Sequence, residues 1–496
     1  MYPRINVEDV AQFGADGGSD SSSCGSSPVS SRSGPSESDG SSSSNADEFC
    51  PDPYPSESAS PSSSSVRGEV NRTSPSLPLV TESSACVLDD IGRHHQRMLA
   101  LLPAFSSPAT GAGARADALY RWLAGFDVGW VLDMDASARS GVSLPRREVG
   151  RRVRAWALEL STMERVFRLC HQELTKPQVE ACGELAAASA SAMLTLAGAV
   201  AALGSSPSKL LAALEVYVPV SEAFPVLARL FSWGPSHPVP VATETTLAAL
   251  VDAARSCRSD LWAFIRSHYP WRMPQGGEVH PCVGFWMGYF RCMIRNRISI
   301  CFVLGNDDDG EEPPQATGNE GGLSLVTELI SCLEAVLEEK SAGLAFPGLR
   351  QVFMLNNTFA IVRRAMRSDL KLFLTKEWFR VRDERMEGYI KGYMDASWAP
   401  VVSRLDDVAG GKKPSAVLRR RTNRLSAFYS VLENACTAQR CWKVPNPVLR
   451  GILRKTVSAN VVPAYRRYLE DHQEVEAAIG RTAEKLEQQL SDLFEG

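Results

Sequence analysis

Histidine and cysteine are the residue types in this chain best suited to catalysis or metal binding, but their spacing fits neither role. The chain has 12 cysteines and 7 histidines, and no two cysteines form a C-x-x-C pair. Cys170 adjoins His171, but a nucleophilic cysteine needs a basic, partly exposed setting, and a lone cysteine in a helical stretch is more typical of a core. His280, Cys282 and Cys292 match no zinc-binding spacing. This cysteine usage predicts reduced thiols in a cytosolic protein.

Motifs for nucleotide, acyl-transfer and calcium chemistry are absent as well. The sequence contains no G-x-x-x-x-G-K-[ST] loop, no strand followed by G-x-G-x-x-G and no G-x-S-x-G elbow. The acidic stretch 305–322 is contiguous and lacks the alternating oxygen ligands of an EF-hand, which indicates a solvated loop. The sequence therefore predicts a protein that is not an enzyme, with no catalytic residues, no cofactor and no metal site.

Charge is the chemical feature that stands out. Residues 411–470 hold 13 basic side chains and two acidic ones, a net charge of +11. The predicted basic patch consists of Lys412, Lys413, Arg419, Arg420, Arg421, Arg424, Arg440, Lys443, Arg450, Arg454, Lys455, Arg466 and Arg467. Such a patch attracts an anionic membrane at about 1 kcal/mol per basic residue. An acidic protein partner, a plain solvated surface and nucleic acid are the alternatives; thin aromatic interleaving and the lack of a binding motif disfavour nucleic acid.

The chain that must position this patch divides into a tail and a helical body. Residues 1–84 carry a net charge of −8, and 26 serines lie within 19–84, so this segment is predicted to be a disordered tail. From residue 85 onward the sequence predicts an all-α protein. Ser206 and Pro207 indicate the N-cap and first position of one helix, and Pro219 predicts a break in it.

Apolar stripes at helical spacing supply the predicted core. One stripe runs through Val326, Leu329, Ile330, Leu333, Val336 and Leu337, with Glu328, Glu334, Glu338 and Glu339 predicted outside it. A second comprises Leu486, Leu490, Leu493 and Phe494, and the aromatics expected in the core are Trp378, Tyr389, Tyr393 and Trp398. The uncharged stretch 185–203 is long enough to span a membrane but is rich in small residues, which favours a closely packed soluble helix. The β-branched stretch 297–304 continues a helical pattern.

Several ordered motifs resemble those of one known family. They are RLCH at 168–171, SPSKLLAALEVY at 206–217, GEVHP at 277–281, FMLNN at 353–357, Y-x-x-G-Y-x-x-A-S-W at 389–398, Q-x-x-W-x-V-P-N-P-x-L-R at 439–450, VPAYR at 462–466 and SDLFEG at 491–496. Together they resemble the plant form of the seventy-kilodalton subunit of the exocyst. The resemblance is weak over 85–150 and strong over 320–496, and Asn446 stands where the family pattern has Asp.

The resemblance implies an elongated rod of stacked helical bundles. It also implies a non-enzymatic role in vesicle tethering and exocytosis at the plasma membrane, with a link to plant defence. The implied partners are the other exocyst subunits, anionic phosphoinositide membrane, and small GTPases or immune-related proteins, and no nucleic acid is expected. The implied location is cytoplasmic and peripheral at the plasma membrane.

Two departures from the family pattern suggest a diverged paralogue. The Ser-rich tail stands where the family has an N-terminal coiled coil for assembly, and a segment without heptads cannot supply that seam. In the stretch similar to the family's lipid motif, Ala477 and Gly480 replace two lysines and Arg481 restores one charge. Losing two lysines weakens membrane attraction by roughly 2 kcal/mol. The alternative function is a helical interaction scaffold detached from the exocyst and recognised by immune receptors or pathogen effectors.

Overall fold

The computed structural model describes seven stretches of the chain, namely 82–106, 111–134, 146–267, 271–296, 320–406, 414–472 and 482–494. Within these stretches the backbone forms α-helices and short 3-10 segments and no β-strand, which confirms the all-α prediction. Residues 1–81, 297–304 and most of the acidic stretch 305–322 lie outside the described residues. The first helix begins at Glu82, so residues 82–84 belong to a helix and not to the predicted tail.

The described residues fall into two compact units. The first unit contains residues 82–264. Its helices are α1 (Glu82–Leu101), α2 (Ala112–Ala124), α3 (Arg146–Cys170), α4 (Lys176–Ala202), α5 (Pro207–Leu230) and, up to residue 264, α6 (Pro238–Arg266). Helix α3 packs against α5, and α4 packs against both. The buried Trp156 on α3 donates its indole N–H to the carbonyl of Met193 on α4 at 3.0 Å.

Helix α5 confirms one prediction from the sequence and overturns another. The hydroxyl of Ser206 accepts the N–H of Lys209 at 3.1 Å, and Pro207 is the first helical residue. Pro219, however, lies inside the helix, and so does Pro225. Each proline removes one backbone hydrogen bond, but buried residues on both sides, from Leu210 to Leu227, keep the helix continuous through them.

Helices α4 and α5 are both long and apolar enough to span a membrane by length and composition. In each of them, 56% of the most hydrophobic 18-residue window is buried inside the protein. On α4 the buried side chains are mostly small, with Leu185, Met193 and Leu196 fully enclosed. This pattern is that of a core helix in close contact with its neighbours.

The second unit contains residues 265–294 and the described residues from 323 to 494. Its helices are α7 (Pro281–Arg295, up to residue 294), α8 (Glu320–Ser341, from residue 323), α9 (Pro347–Met366), α10 (Lys376–Ser397), α11 (Ala399–Val402), α12 (Pro414–Gln439), α13 (Pro447–Glu470) and α14 (Ala483–Ser491). Helix α9 packs along α10, and α13 packs against α14. The carboxamide of Asn446 accepts the N–H groups of Val448 and Leu449 and caps α13. Asn caps a helix as well as Asp does, so this departure from the family pattern preserves the cap.

Two asparagines of the FMLNN motif hold extended backbone against α9. The amide nitrogen of Asn356 donates to the carbonyls of Gly277 at 2.7 Å and Lys443 at 2.9 Å. The side-chain oxygen of Asn357 accepts the N–H of His280 at 2.8 Å. Both asparagines are buried, so these bonds satisfy backbone groups that cannot reach water. The motif is therefore structural: it joins the segment 271–280 and the loop before α13 to one helix.

One glutamate that the sequence places outside the α8 stripe is inside the protein. Glu334 is buried and forms a two-pronged ion pair with Arg382 of α10, with both N···O distances at 2.8 Å. The Arg382 guanidinium also lies over the Trp378 ring, 3.7 Å from its centroid. Burial lowers the pKa of Arg382 from its ordinary value, and Glu334 acts against that shift. The solvated-face prediction for Glu334 is wrong because its charged partner lies 48 residues further along the chain.

Three of the four expected core aromatics are buried. The Trp398 indole donates to the Tyr393 hydroxyl, which donates to the side-chain oxygen of Gln439, each at 2.7 Å. Burial raises the pKa of the Tyr393 hydroxyl far above its ordinary value.

Trp378 is also buried, whereas Tyr389 is only half-buried, so its assignment to the core is wrong. The C-terminal stripe of leucines with Phe494 is buried as expected.

Candidate anion-binding surfaces

Folding divides the basic patch, continuous in sequence, among several places in the second unit. Arg419, Arg420, Arg421 and Arg424 lie on α12; Arg440 and Lys443 lie in the turn after it; and Arg450, Arg454, Lys455, Arg466 and Arg467 lie on α13. Lys412 and Lys413 lie outside the described residues, as do Ala477, Gly480 and Arg481 of the departed lipid motif. The described patch residues therefore lie on two helices and on the turn between them.

Two arginines of the patch have structural roles. Arg450 donates its Nε–H to the carbonyl of Val444 at 3.2 Å, across the start of α13. Arg454 donates its Nε–H to the carbonyl of Leu493, just beyond α14, at 2.8 Å. Both arginines are half-buried. Because these N–H groups are already bonded to carbonyls, they are not available to a bound anion. The two arginines would therefore attract an anion mainly through their positive charge.

Lys455 and Arg466, two exposed basic residues of α13, border a groove against α14. Its volume is about 500 Å³, and Lys455, Arg466, Glu487 and Ser491 are among its lining residues. Lys455, Arg466 and Arg467 are all exposed. A groove with several cations and one carboxylate gives a net positive surface at the end of the chain.

A second basic groove lies beside the extended segment before α7. Arg272, Arg440 and Lys443 are among its lining residues, and its volume is about 530 Å³. Lys443 pairs with Glu278 at 3.3 Å, and the Glu278 carboxylate also accepts the N–H of Gly276 at 3.0 Å. This pair neutralises part of the local charge, so the groove attracts anions less than its count of cations indicates.

The structure also assembles a basic cavity that sequence reasoning missed. Arg291 of α7 meets Arg363 and Arg364 of α9 and Arg367 just beyond it, in a cavity of about 560 Å³. Linear charge density could not reveal this cluster because Arg291 is separated from the others by the acidic stretch. The available signal was α9 itself, which carries no acidic residue and ends in arginines.

The histidine and cysteine candidates do not assemble a site. The Nδ1 atom of His280 accepts the N–H of Cys282 at 3.2 Å, and burial, followed by repulsion from Lys340, lowers the pKa of His280 to about 4. Burial raises the pKa of the Cys282 thiol to about 12, and burial, followed by Glu173, also raises the pKa of Cys170. Within the described stretches, no three His, Cys, Asp or Glu side chains come together as metal ligands would.

The described residues thus form two all-α units, and the second unit carries several basic surfaces. The particular family is shown by sequence comparison. The family model for the C-terminal part of Exo70, an exocyst complex component, matches residues 157–492, and the chain belongs to this family.

Known proteins similar to this chain include two exocyst components of Arabidopsis thaliana. The chain is 28% identical to EXO70B2 over 298 residues, which cover 59% of this chain and 47% of that protein. It is 26% identical to EXO70B1 over 314 residues, which cover 61% and 49%. The chain thus spans about half the length of the curated relatives it matches. A solved structure of S. cerevisiae Exo70 aligns with 84% of this chain and 88% of its own, at 13% identity and a TM-score of 0.45.

Proposed function

We propose that this chain is a non-enzymatic exocyst-type subunit that acts in vesicle tethering during exocytosis at the plasma membrane and in plant defence. The observation that carries the proposal is the family match over residues 157–492, which includes all the described basic surfaces of the second unit. The partners that follow are the other exocyst subunits, anionic phosphoinositide membrane, and small GTPases or immune-related proteins. The place of action is the cytoplasmic face of the plasma membrane.

The groove between α13 and α14 is the membrane-facing surface in this proposal. Lys455 and Arg466 line the groove, Arg467 follows Arg466 on α13, and all three are exposed. A basic residue near an anionic bilayer contributes about 1 kcal/mol. Three such residues together contribute roughly 3 kcal/mol, which corresponds to about a hundredfold in membrane partition. This contribution is of the size needed to offset the two lysines replaced by Ala477 and Gly480.

The membrane arm is tested by vesicle sedimentation of the full-length protein. Vesicles with and without phosphatidylinositol bisphosphate are compared for the wild type and for the triple variant Lys455→Gln, Arg466→Gln, Arg467→Gln. The expected result is a loss of about a hundredfold in partition to the anionic vesicles. The matched control changes three exposed cations of the same unit, Lys376→Gln, Lys391→Gln and Arg404→Gln, and should bind nearly as wild type does. Equal losses in the two variants would contradict a localised membrane surface.

The tethering role is tested by affinity purification of the tagged full-length chain from plant cells, with quantitative mass spectrometry. Near-stoichiometric recovery of the other exocyst subunits is the expected result. Recovery of immune receptors or effector proteins without those subunits would instead favour the detached scaffold. Full rescue of a secretion-defective mutant by the chain would exclude the scaffold as its main role.

A further inference from the structure

The basic cavity between α7 and α9 has the size of a small-molecule site. Its volume of about 560 Å³ lies within the ~300–1,000 Å³ usual for ligand pockets. The wall is completed by Pro445 of the loop before α13 and by Pro447, the first residue of α13. All of its lining residues belong to the second unit.

The charge of this cavity is not balanced by the residues that line it. Arg291, Arg363, Arg364 and Arg367 contribute four guanidinium groups, and no Asp or Glu is among the lining residues. None of these four side chains forms a hydrogen bond or ion pair within the described part of the chain. Burial, followed by repulsion from Arg367, lowers the pKa of Arg363 from its ordinary value.

The end of helix α9 explains only part of this arrangement. Cations in the last turn of a helix interact favourably with its dipole, which accounts for positive charge at Arg363 and Arg364. It does not account for Arg291, which lies on a different helix. The Arg291 Nε atom is buried and has no hydrogen-bond partner in the described stretches. A buried charged donor without an acceptor is costly, and an anion in the cavity would remove that cost.

The remaining lining is mostly apolar and shapes the ligand class. Phe285, Met287 and Phe359 line the cavity together with Pro445 and Pro447. Apolar walls lower the local dielectric response and strengthen attraction between arginines and an anion. Arginine forms paired, charge-assisted hydrogen bonds with phosphate oxygens. Four arginines around one small cavity match several phosphates on one compact molecule better than a single monovalent anion.

We propose that this cavity binds a small soluble molecule that carries two or more phosphate groups. Arg291 holds the phosphate nearest α7, and Arg363 and Arg367, one helical turn apart, hold a second. Binding would join α7 and α9 through the ligand. The cavity is distinct from the groove between α13 and α14, and this inference does not depend on the tethering role.

The test measures binding of inositol hexakisphosphate and of pyrophosphate to the full-length protein by calorimetry at physiological salt. The variant Arg363→Gln, Arg367→Gln removes two contacts, and each charged hydrogen-bonded contact changes affinity by at least about tenfold. We expect a loss of at least about a hundredfold for the double variant. The control Lys391→Gln, Arg404→Gln removes two exposed charges elsewhere and should change affinity less than about threefold. Either probe should raise the melting temperature of the wild type and of the control variant but not that of the double variant.

Several results would overturn the proposal. One is a lack of binding of both probes to the wild type, and another is equal weakening in the two variants, which would indicate non-specific polyanion attraction. A third arm uses vesicles that contain phosphatidylinositol bisphosphate. Binding to these vesicles through Arg363 and Arg367 without binding of the soluble probes would assign the cavity to a lipid headgroup. Capture of a phosphopeptide in place of both small probes would also refute it. Failure in any of these assays leaves the exocyst pull-down result unaffected.

Discussion

The buried ion pair between Glu334 and Arg382 gives the most direct test of how the second unit is held together. The side chains of Arg382 and Glu334 are 5% and 9% exposed, and two parallel hydrogen bonds of 2.8 Å join them. Arg385 adds a third contact to Glu334 at 3.1 Å but is half exposed. The change Glu334→Gln keeps the size and one acceptor while it removes the charge. Arg382 then remains buried and charged without its counterion.

The expected cost follows from the burial of the pair. Removing one partner of a buried ion pair destabilises a protein by about 3–5 kcal/mol, because the remaining charge is uncompensated. Replacing both partners with apolar residues of similar size is often neutral or stabilising. The double variant Glu334→Met, Arg382→Met should therefore recover most of the stability that Glu334→Gln loses. The coupling energy between the two positions should be at least about 2 kcal/mol.

The readout is local opening in the helices that carry the pair. Because the chain contains two units, hydrogen exchange of peptides from α8 and α10 reports this region more directly than one global unfolding curve. The matched control is Arg380→Gln, which breaks exposed pairs with Glu377 and Glu384 on the same helix. Exposed pairs of this kind contribute about 0–1 kcal/mol.

Two results would refute this reasoning. The first is a change of less than about 1 kcal/mol in the opening free energy for Glu334→Gln, as small as for the surface control. The second is a double variant as unstable as the single one. Either result would mean that water or a rearranged neighbour can stabilise the Arg382 charge when Glu334 is absent. The short distance of 2.8 Å between the two side chains would then be a poor guide to how much Glu334 stabilises the protein.

Three further predictions concern the extended segment and the asparagines that hold it. Gly277 has a φ of +81°, and a Cβ there would lie 2.8 Å from Leu349 Cδ1, so Gly277→Ala should cost about 1–3 kcal/mol in urea unfolding. Asn356→Leu strands the carbonyls of Gly277 and Lys443 and should cost about 2–4 kcal/mol, by the same assay. Folding lowers the pKa of His280 from 6.5 to about 4, so the unfolded chain binds a proton at this residue more readily than the folded protein does. The free energy of unfolding should therefore decline by up to roughly 3 kcal/mol as the pH falls from 6.5 to 4. The variant His280→Gln should lack this part of the pH dependence.

Controls for these variants lie in the same unit. A methyl group added at Gly451 would meet only open space, so Gly451→Ala should stabilise α13 by about 0.5–1 kcal/mol where Gly277→Ala destabilises. Asn423 is exposed, and its change to Leu should stay within about 0.5 kcal/mol. Burial, followed by Glu387, raises the pKa of Asp383 to about 6, so protonation of Asp383 stabilises the folded protein as the pH falls. This effect opposes that of His280. The contribution of His280 is therefore measured as the difference in pH dependence between His280→Gln and the wild type. If stability depends on pH in the same way in His280→Gln as in the wild type, the attribution of this dependence to His280 is wrong.

Local signals in the sequence were sufficient for the fold class and for individual helix ends. The Ser206 cap and the C-terminal apolar stripe depend on residues within a few positions of one another, and both are confirmed. The error at Pro219 arises because tertiary packing on both sides overrides the local preference. Glu334 was misplaced for a related reason: a carboxylate is buried only when a partner neutralises it, and that partner is distant in sequence.

The candidate sites were harder to predict than the helices. Counting charge along 411–470 located many cations but could not show that Arg450 and Arg454 bond to backbone carbonyls. It also missed the cavity, because Arg291 and Arg363 come together only after α7 packs beside α9. Surfaces made from distant segments require the tertiary fold, whereas helix periodicity does not.

The bonds made by Asn356 have a consequence for the order in which the chain is completed during synthesis. Its two acceptors, Gly277 and Lys443, lie 79 residues before it and 87 residues after it. At about 5–20 residues per second, the ribosome needs roughly 4–17 seconds to cover each separation. The nascent segment 271–280 must therefore wait for both α9 and the loop before α13 to emerge. A chain that stops before Lys443 leaves the Asn356 amide without its second acceptor.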